Sequence, residues 1–141
     1  MNANQVTSAL ARAGALHEPG VISVYLFGSV AEHRSHRESD VDVAVLFDYR
    51  VRPTMRDRFE ARLRLFAELT RTLKTDRLDL VVLNDAPPLL ARRAVTEGAR
   101  VLCADPDRDH DFVRDIQLRA ADLLPFLRRT ARLKLDAIAR S

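Results

Sequence analysis

The sequence predicts an α/β or α+β domain, a small mixed β-sheet flanked by helices with a long helical segment at its C-terminal end. Three observations predict it. Short runs rich in Val, Ile and Leu (Val21 to Phe27, Val41 to Phe47, Leu78 to Leu83) have the length and composition of buried strands. Longer stretches between and after them repeat apolar residues every three or four positions, the period of a helix. Turn-forming clusters, "EPG" at 18–20, Gly28-Ser29, "RPT" at 52–54 and "NDAPP" at 84–88, separate the two kinds of segment.

Residues 5 to 16 read as a short helix with Val6, Leu10, Ala13 and Leu16 on one side, ended by "EPG". The first strand, Val21 to Phe27, runs into the Gly28-Ser29 turn, after which a brief helix is expected. Val41 to Phe47 is the second strand. Met55, Phe59, Leu63, Phe66, Thr70 and Leu73 then recur at helical spacing, with Arg and Glu between them. Leu78 to Leu83 is the third strand. "NDAPP" breaks it and opens a helix, where proline is tolerated in the first turn, and Gly98 is placed to stop that helix. Arg100 to Ala104 reads as a short edge strand. From Asp107 on, Phe112, Ile116, Ala120, Leu123, Leu127, Ala131, Leu135 and Ile138 form one stripe, which Pro125 should kink or divide. Its first half reads as core. Its second half, beside Arg128, Arg129, Arg132 and Lys134, either faces a partner helix or closes the domain.

The chain has 141 residues, the size of one compact domain, here with a core at 20–105 and terminal helices at 107–140. Apolar residues make up 47% and charged residues 30%, a soluble, globular balance. A net charge of +3 is small against 23 basic and 20 acidic side chains and is too weak by itself to argue for a nucleic-acid partner. Cys103 is the sole cysteine, which excludes an intrachain disulfide and makes a thiolate metal site implausible. The N-terminal stretch lacks the basic and apolar regions of a signal peptide, and no apolar run reaches the roughly 18 residues that span a bilayer. A cytoplasmic protein is expected.

The chemistry concentrates in residues 25–47. Along the second strand Asp40 and Asp42 share one face while Val41 and Val43 point to the other. Two like charges at the edge of an apolar strand repel and lose hydration, and a bound divalent cation offsets both costs. Hard oxygen ligands suit Mg²⁺, which keeps several waters and shares its shell with phosphate. Asp79, between Leu78 and Leu80 on the third strand, is an unfavourable residue for structure alone. Beside Asp40 and Asp42 it completes a two-metal carboxylate cluster of the kind that holds attacking and leaving oxygens in phosphoryl transfer. There it is placed to take the proton from an incoming hydroxyl. Gly28 permits close backbone approach and an unusual φ, and the Ser29 hydroxyl can donate to phosphate, so the turn reads as a triphosphate cradle. The bland readings are a solvated strand start for Asp40 and Asp42, and for Asp79 an exposed position paired with Arg77. His33, Arg34, His36 and Arg37 read as solvated loop, and Tyr25 and Tyr49 as packing residues.

Gly28-Ser29, ten residues, then Asp40-Val41-Asp42 resembles the G-S-x10-D-x-D signature of minimal nucleotidyltransferases within the DNA polymerase β superfamily. The stretch "DLVVLNDAPPLLARRAVTEGARVLCADP" is similar to the corresponding segment of the MNT antitoxins, and the resemblance covers about residues 20 to 105. It implies a nucleotidyltransferase fold and a metal-dependent transfer of a nucleoside monophosphate from an NTP, with pyrophosphate leaving. In the antitoxin branch, encoded beside HEPN-domain RNases, it implies adenylylation of a tyrosine of the partner toxin with ATP. Gly28 and Ser29 would then hold the triphosphate. Asp40 and Asp42 would bind both Mg²⁺ ions, with Asp79 as third ligand and base. The chain departs from the pattern at His33, where many relatives have glycine, and at Val30, where an arginine is common. Two alternatives remain: a small-molecule nucleotidyltransferase of the aminoglycoside type, and a non-catalytic scaffold that neutralises a toxin by contact.

Overall fold

The computed structural model describes residues 3–12, 18–28 and 41–140. The elements are α1 (Ala3–Arg12), β1 (Val21–Phe27), β2 (Val41–Phe47), α2 (Met55–Leu73), β3 (Leu78–Val82), α3 (Pro88–Glu97), β4 (Ala99–Cys103) and α4 (Pro106–Arg140), with a 3-10 turn at Leu83–Asp85. The four strands form one mixed sheet in the order β3-β2-β1-β4. β1 runs antiparallel to both β2 and β4, and β2 parallel to β3 through the α2 crossover. The brief helix expected after Gly28 falls outside the described residues, as do Ala13 and Leu16 of the first expected helix.

Two apolar layers hold the sheet. On one face Val24, Leu26, Val43, Val45, Phe47, Leu78 and Leu80 pack with Val6 and Leu10 of α1 and Leu65 and Leu69 of α2. On the other, Ile22, Tyr25, Phe27, Ala44 and Leu46 pack with Ala91 and Ala94 of α3 and Ile116 of α4. Strands buried on both faces read as continuous apolar runs, which is why they were legible. α2 starts at Thr54, whose side chain accepts from the Asp57 amide, and ends at Lys74 in the left-handed region. α3 ends at Gly98, where a Cβ would lie 2.9 Å from the Leu26 carbonyl, so glycine serves close approach to β1.

Two expectations need correction. The face α2 buries is Arg58, Ala61, Leu65, Leu69 and Leu73, while Met55, Phe59 and Leu63 stay exposed. The helix carries two overlapping apolar stripes. The sheet takes the one with small, fully buried Ala61, which also carries Arg58, paired with Asp85 at 2.8 Å and stacked on Tyr49. Pro125 does not divide the terminal helix, since α4 runs unbroken through it. The carbonyl it deprives of a partner belongs to Ala121, which is exposed and can bond water instead. Tyr25 is buried as expected, Tyr49 is half exposed, and Cys103 is only partly covered on β4.

Asp48, just after β2, is buried between Arg50 at 2.8 Å and Arg108 at 3.8 Å. Hydrogen bonding from Arg50 lowers its pKa from 3.8 to about 2, against the opposing effect of burial. A carboxyl depressed on folding stabilises the fold fully above its unfolded value and loses that contribution as pH falls through the folded one. Wild-type stability is therefore expected to drop between about pH 4 and pH 2 more steeply than that of Asp48→Asn. Urea midpoints across that range check it, and parallel profiles would remove Asp48 from the acid response.

Candidate active site

The register of the sheet assembles the expected residues. In the parallel ladder Val41 lies opposite Leu78, Asp42 opposite Asp79 and Val43 opposite Leu80. Val41, Val43, Leu78 and Leu80 enter the core beneath α2, so Asp42 and Asp79 stand side by side on the other face. Adjacent strands are about 4.8 Å apart, which brings the two carboxylates within reach of one cation. Asp42 is half buried and Asp79 exposed, where the sheet face is left open to solvent. An open cleft of about 410 Å³ is bounded by Asp76, Arg77, Leu78 and Asp79.

β1 brings in the turn. Phe27 pairs with Asp42 across the antiparallel ladder, so Gly28 begins its turn beside that aspartate. Gly28 has φ +79°, a left-handed value that side-chain-bearing residues rarely adopt. A Cβ there would overlap Asp42 Oδ2 and lie 3.1 Å from its Cγ. The glycine is thus required twice, by its backbone angle and by the carboxylate seated over it. Gly28→Ala is expected to cost about 1–3 kcal/mol of stability from strain, and to displace the Asp42 carboxylate. A urea midpoint unchanged from wild type would remove the requirement.

Ser29 and Asp40 lie outside the described residues, as do Val30, His33, Arg34, His36 and Arg37. Asp40 directly precedes Val41, whose amide donates to the Arg77 carbonyl at 2.9 Å and so pins the start of β2 against β3. Among the described residues no third acid, histidine or cysteine joins Asp42 and Asp79 in a metal-binding group. The donor chemistry nonetheless fits a hard divalent cation: two carboxylates on adjacent strands, open to water, beside a glycine backbone that admits a phosphate.

A second cavity, of about 370 Å³, lies at the opposite ends of the strands between Leu46, Phe47, Leu83 and α4. Most of its polar groups already have partners. Asn84 holds both the amide and the carbonyl of Phe47, Asp48 meets Arg50 and Arg108, and Asp115 meets Arg119. At the other end of the sheet Asp42 and Asp79 instead set two like charges on adjacent strands, an arrangement that favours a bound cation.

Comparison with known proteins bears on this end of the sheet. The family model described as polymerase beta, nucleotidyltransferase, matches residues 14–107, a span that contains Gly28, Asp42 and Asp79. The protein adenylyltransferase MntA of Shewanella oneidensis is 33% identical over 102 residues, which are 71% of this chain and 67% of that protein. A crystal structure of a toxin–antitoxin with AMP-PNP has a TM-score of 0.65 at 24% identity, covering 94% of this chain and 98% of the other. The structure of tri-AMPylated Shewanella oneidensis HEPN toxin in complex with MNT antitoxin gives 0.60 at 22%, covering 95% and 96%. At these identities the structural likeness establishes the fold, including the long terminal helix.

Proposed function

From the premise that this chain belongs to the polymerase β-type nucleotidyltransferase family, we propose that it is the antitoxin of a HEPN/MNT pair, a protein adenylyltransferase that moves AMP from ATP to a tyrosine of its partner toxin. The observation that carries this reading is the pairing of Asp42 with Asp79 beside the positive-φ turn at Gly28. The curated relative, named for protein adenylylation, supports the acceptor class.

In the proposed reaction Gly28 and Ser29 hold the triphosphate, the glycine by letting the backbone come close and the serine through its hydroxyl. Asp40, Asp42 and Asp79 would hold Mg²⁺, which supplies charge neutralisation to the triphosphate and the leaving pyrophosphate. The tyrosine oxygen attacks the α-phosphorus in line. The bond from that phosphorus to the bridging oxygen breaks, pyrophosphate leaves with the electron pair, and Asp79 takes the phenolic proton. The rest of the rate comes from holding donor and acceptor in that alignment. We place the reaction in the cytoplasm, where ATP and magnesium are at hand.

The test is incubation of the purified chain with the HEPN protein encoded beside it and Mg-ATP, followed by intact mass. The expected result is a partner heavier by one or more AMP groups and silenced as an RNase. A folded chain that neutralises the partner with no mass gain would sink the reading and leave the contact scaffold.

A further inference from the structure

The face of α4 that packs on the sheet does not end where the sheet ends. Ile116 and Ala120 are buried against it, and the same stripe continues through Leu123, Leu127, Ala131 and Leu135 at four-residue intervals, then Ile138. No described residue beyond Ala120 is buried. Leu135 is 66% exposed, and Phe126 and Leu133 flank the stripe with similar exposure. At 1.5 Å per residue, about 30 Å of amphipathic helix extends past the last residue that the domain covers. The expectation that this half might close the domain is therefore not met.

We propose that the distal half of α4, Ala121 to Arg140, is the surface that docks the acceptor protein, lying in an apolar groove of that protein rimmed by carboxylates. The proposal rests on the reading of the acceptor as a partner protein, and charge selects the occupant. The segment carries Arg128, Arg129, Arg132, Lys134 and Arg140 against only Asp122 and Asp136. A second copy would bring a segment of net charge +3 against another of the same charge. It would also bury Lys134, which lies seven residues from Leu127 and hence within the apolar stripe. An acidic rim pairs Arg128, the arginine beside the stripe, and gives Lys134 a carboxylate, while the stripe fills the groove as helix-in-groove recognition does. Such docking raises the local concentration of the acceptor hydroxyl without any docking residue touching the reacting atoms.

The experiment compares the full chain with Leu127→Glu/Leu135→Glu and with Arg128→Glu/Lys134→Glu. It measures affinity for the HEPN protein by calorimetry, the kinetics of AMP transfer, self-association by light scattering, and co-sedimentation with phosphatidylcholine–phosphatidylserine vesicles. The leucine pair is exposed, so helix content and melting should stay at wild-type values. The expected result is about a hundredfold weaker binding by the leucine variant, with KM for the partner raised and kcat at saturation kept. The charge-reversed variant should associate more slowly and show a flatter salt dependence. Wild type that binds and modifies the partner while the leucine variant does so equally well would overturn the docking surface and leave the proposed reaction standing. Wild type that neither binds nor modifies the partner would overturn both. Leucine substitutions that abolish only vesicle binding, or only self-association, would assign the face to a membrane or to a second copy and overturn the proposal.

Discussion

Asp42→Asn is expected to lower the rate of AMP transfer by about three orders of magnitude, roughly 4 kcal/mol of transition-state stabilisation, and to leave the stability of the fold close to wild type. The two halves of this expectation come from one geometry. Asp42 and Asp79 face each other across the β2–β3 ladder on the side that the core does not use. Neutralising one of them removes a like-charge contact, while asparagine keeps the shape and one acceptor oxygen of the side chain, so melting should stay close to wild type. The same change would remove an anionic ligand from the cation that Asp42 is proposed to hold, and the amide that replaces it is a weaker donor. Transfer assays with labelled ATP, alongside thermal melts with and without magnesium, check both. Wild type should melt higher with magnesium and nucleotide together, and the variant should lose most of that gain. Transfer above about a tenth of the wild-type rate would remove Asp42 from the site. A lower melting point without ligands would mean that the carboxylate serves the fold.

What the sequence made legible is whatever depends on period and spacing. The strands stood out because both faces are buried, so β1 and β2 contain almost nothing but apolar residues. Against that background the acids of β2 and β3 were conspicuous, and the structure pairs Asp42 with Asp79 although they are 37 positions apart. The parallel register that does this follows from the α2 crossover, a long-range fact that no local pattern carries. The face of α2 was misjudged for a related reason. Two stripes of comparable apolarity share the helix, and only the sheet decides between them. Asp109 gave no local signal at all. It sits among Asp105, Asp107 and Asp111 in the first turns of α4, where acids favour a helix N-terminus on any surface. Its burial is set by Ser23, Tyr25 and Arg100, which reach it from two strands.

That buried carboxylate is where the largest loss of stability is expected. Asp109 is 3% exposed and accepts from the Ser23 hydroxyl at 2.6 Å, the Tyr25 hydroxyl at 2.7 Å and Arg100 Nη1 at 2.9 Å. Burial first, and then the hydrogen bond to Asp109, push the Tyr25 hydroxyl well above its ordinary pKa, so it remains a donor. Asp109→Ala strands two buried hydroxyls and leaves the Arg100 guanidinium without its carboxylate. The expected cost is about 3–5 kcal/mol, or a melting point lower by roughly 10 °C. Urea unfolding gives the first figure and calorimetry the second. Asp109→Asn keeps the shape and one acceptor and should lose less than half as much. Tyr25→Phe made in the Asp109→Ala background should then cost almost nothing, because its partner is already gone, whereas in wild type it removes a hydrogen bond to a charged group. Additive losses would show that the two side chains act independently and that the network is only proximity. The consequence reaches function through α4. This helix is tied to β1 and β4 at Asp109, and the proposed docking surface is its far half. Loosening the tie should weaken binding of the partner at temperatures where the domain is still folded, while Asp42 and Asp79, held by the β2–β3 ladder, keep their affinity for magnesium and ATP. Partner affinity that holds at wild-type strength in Asp109→Ala would separate the docking surface from the anchor of the helix.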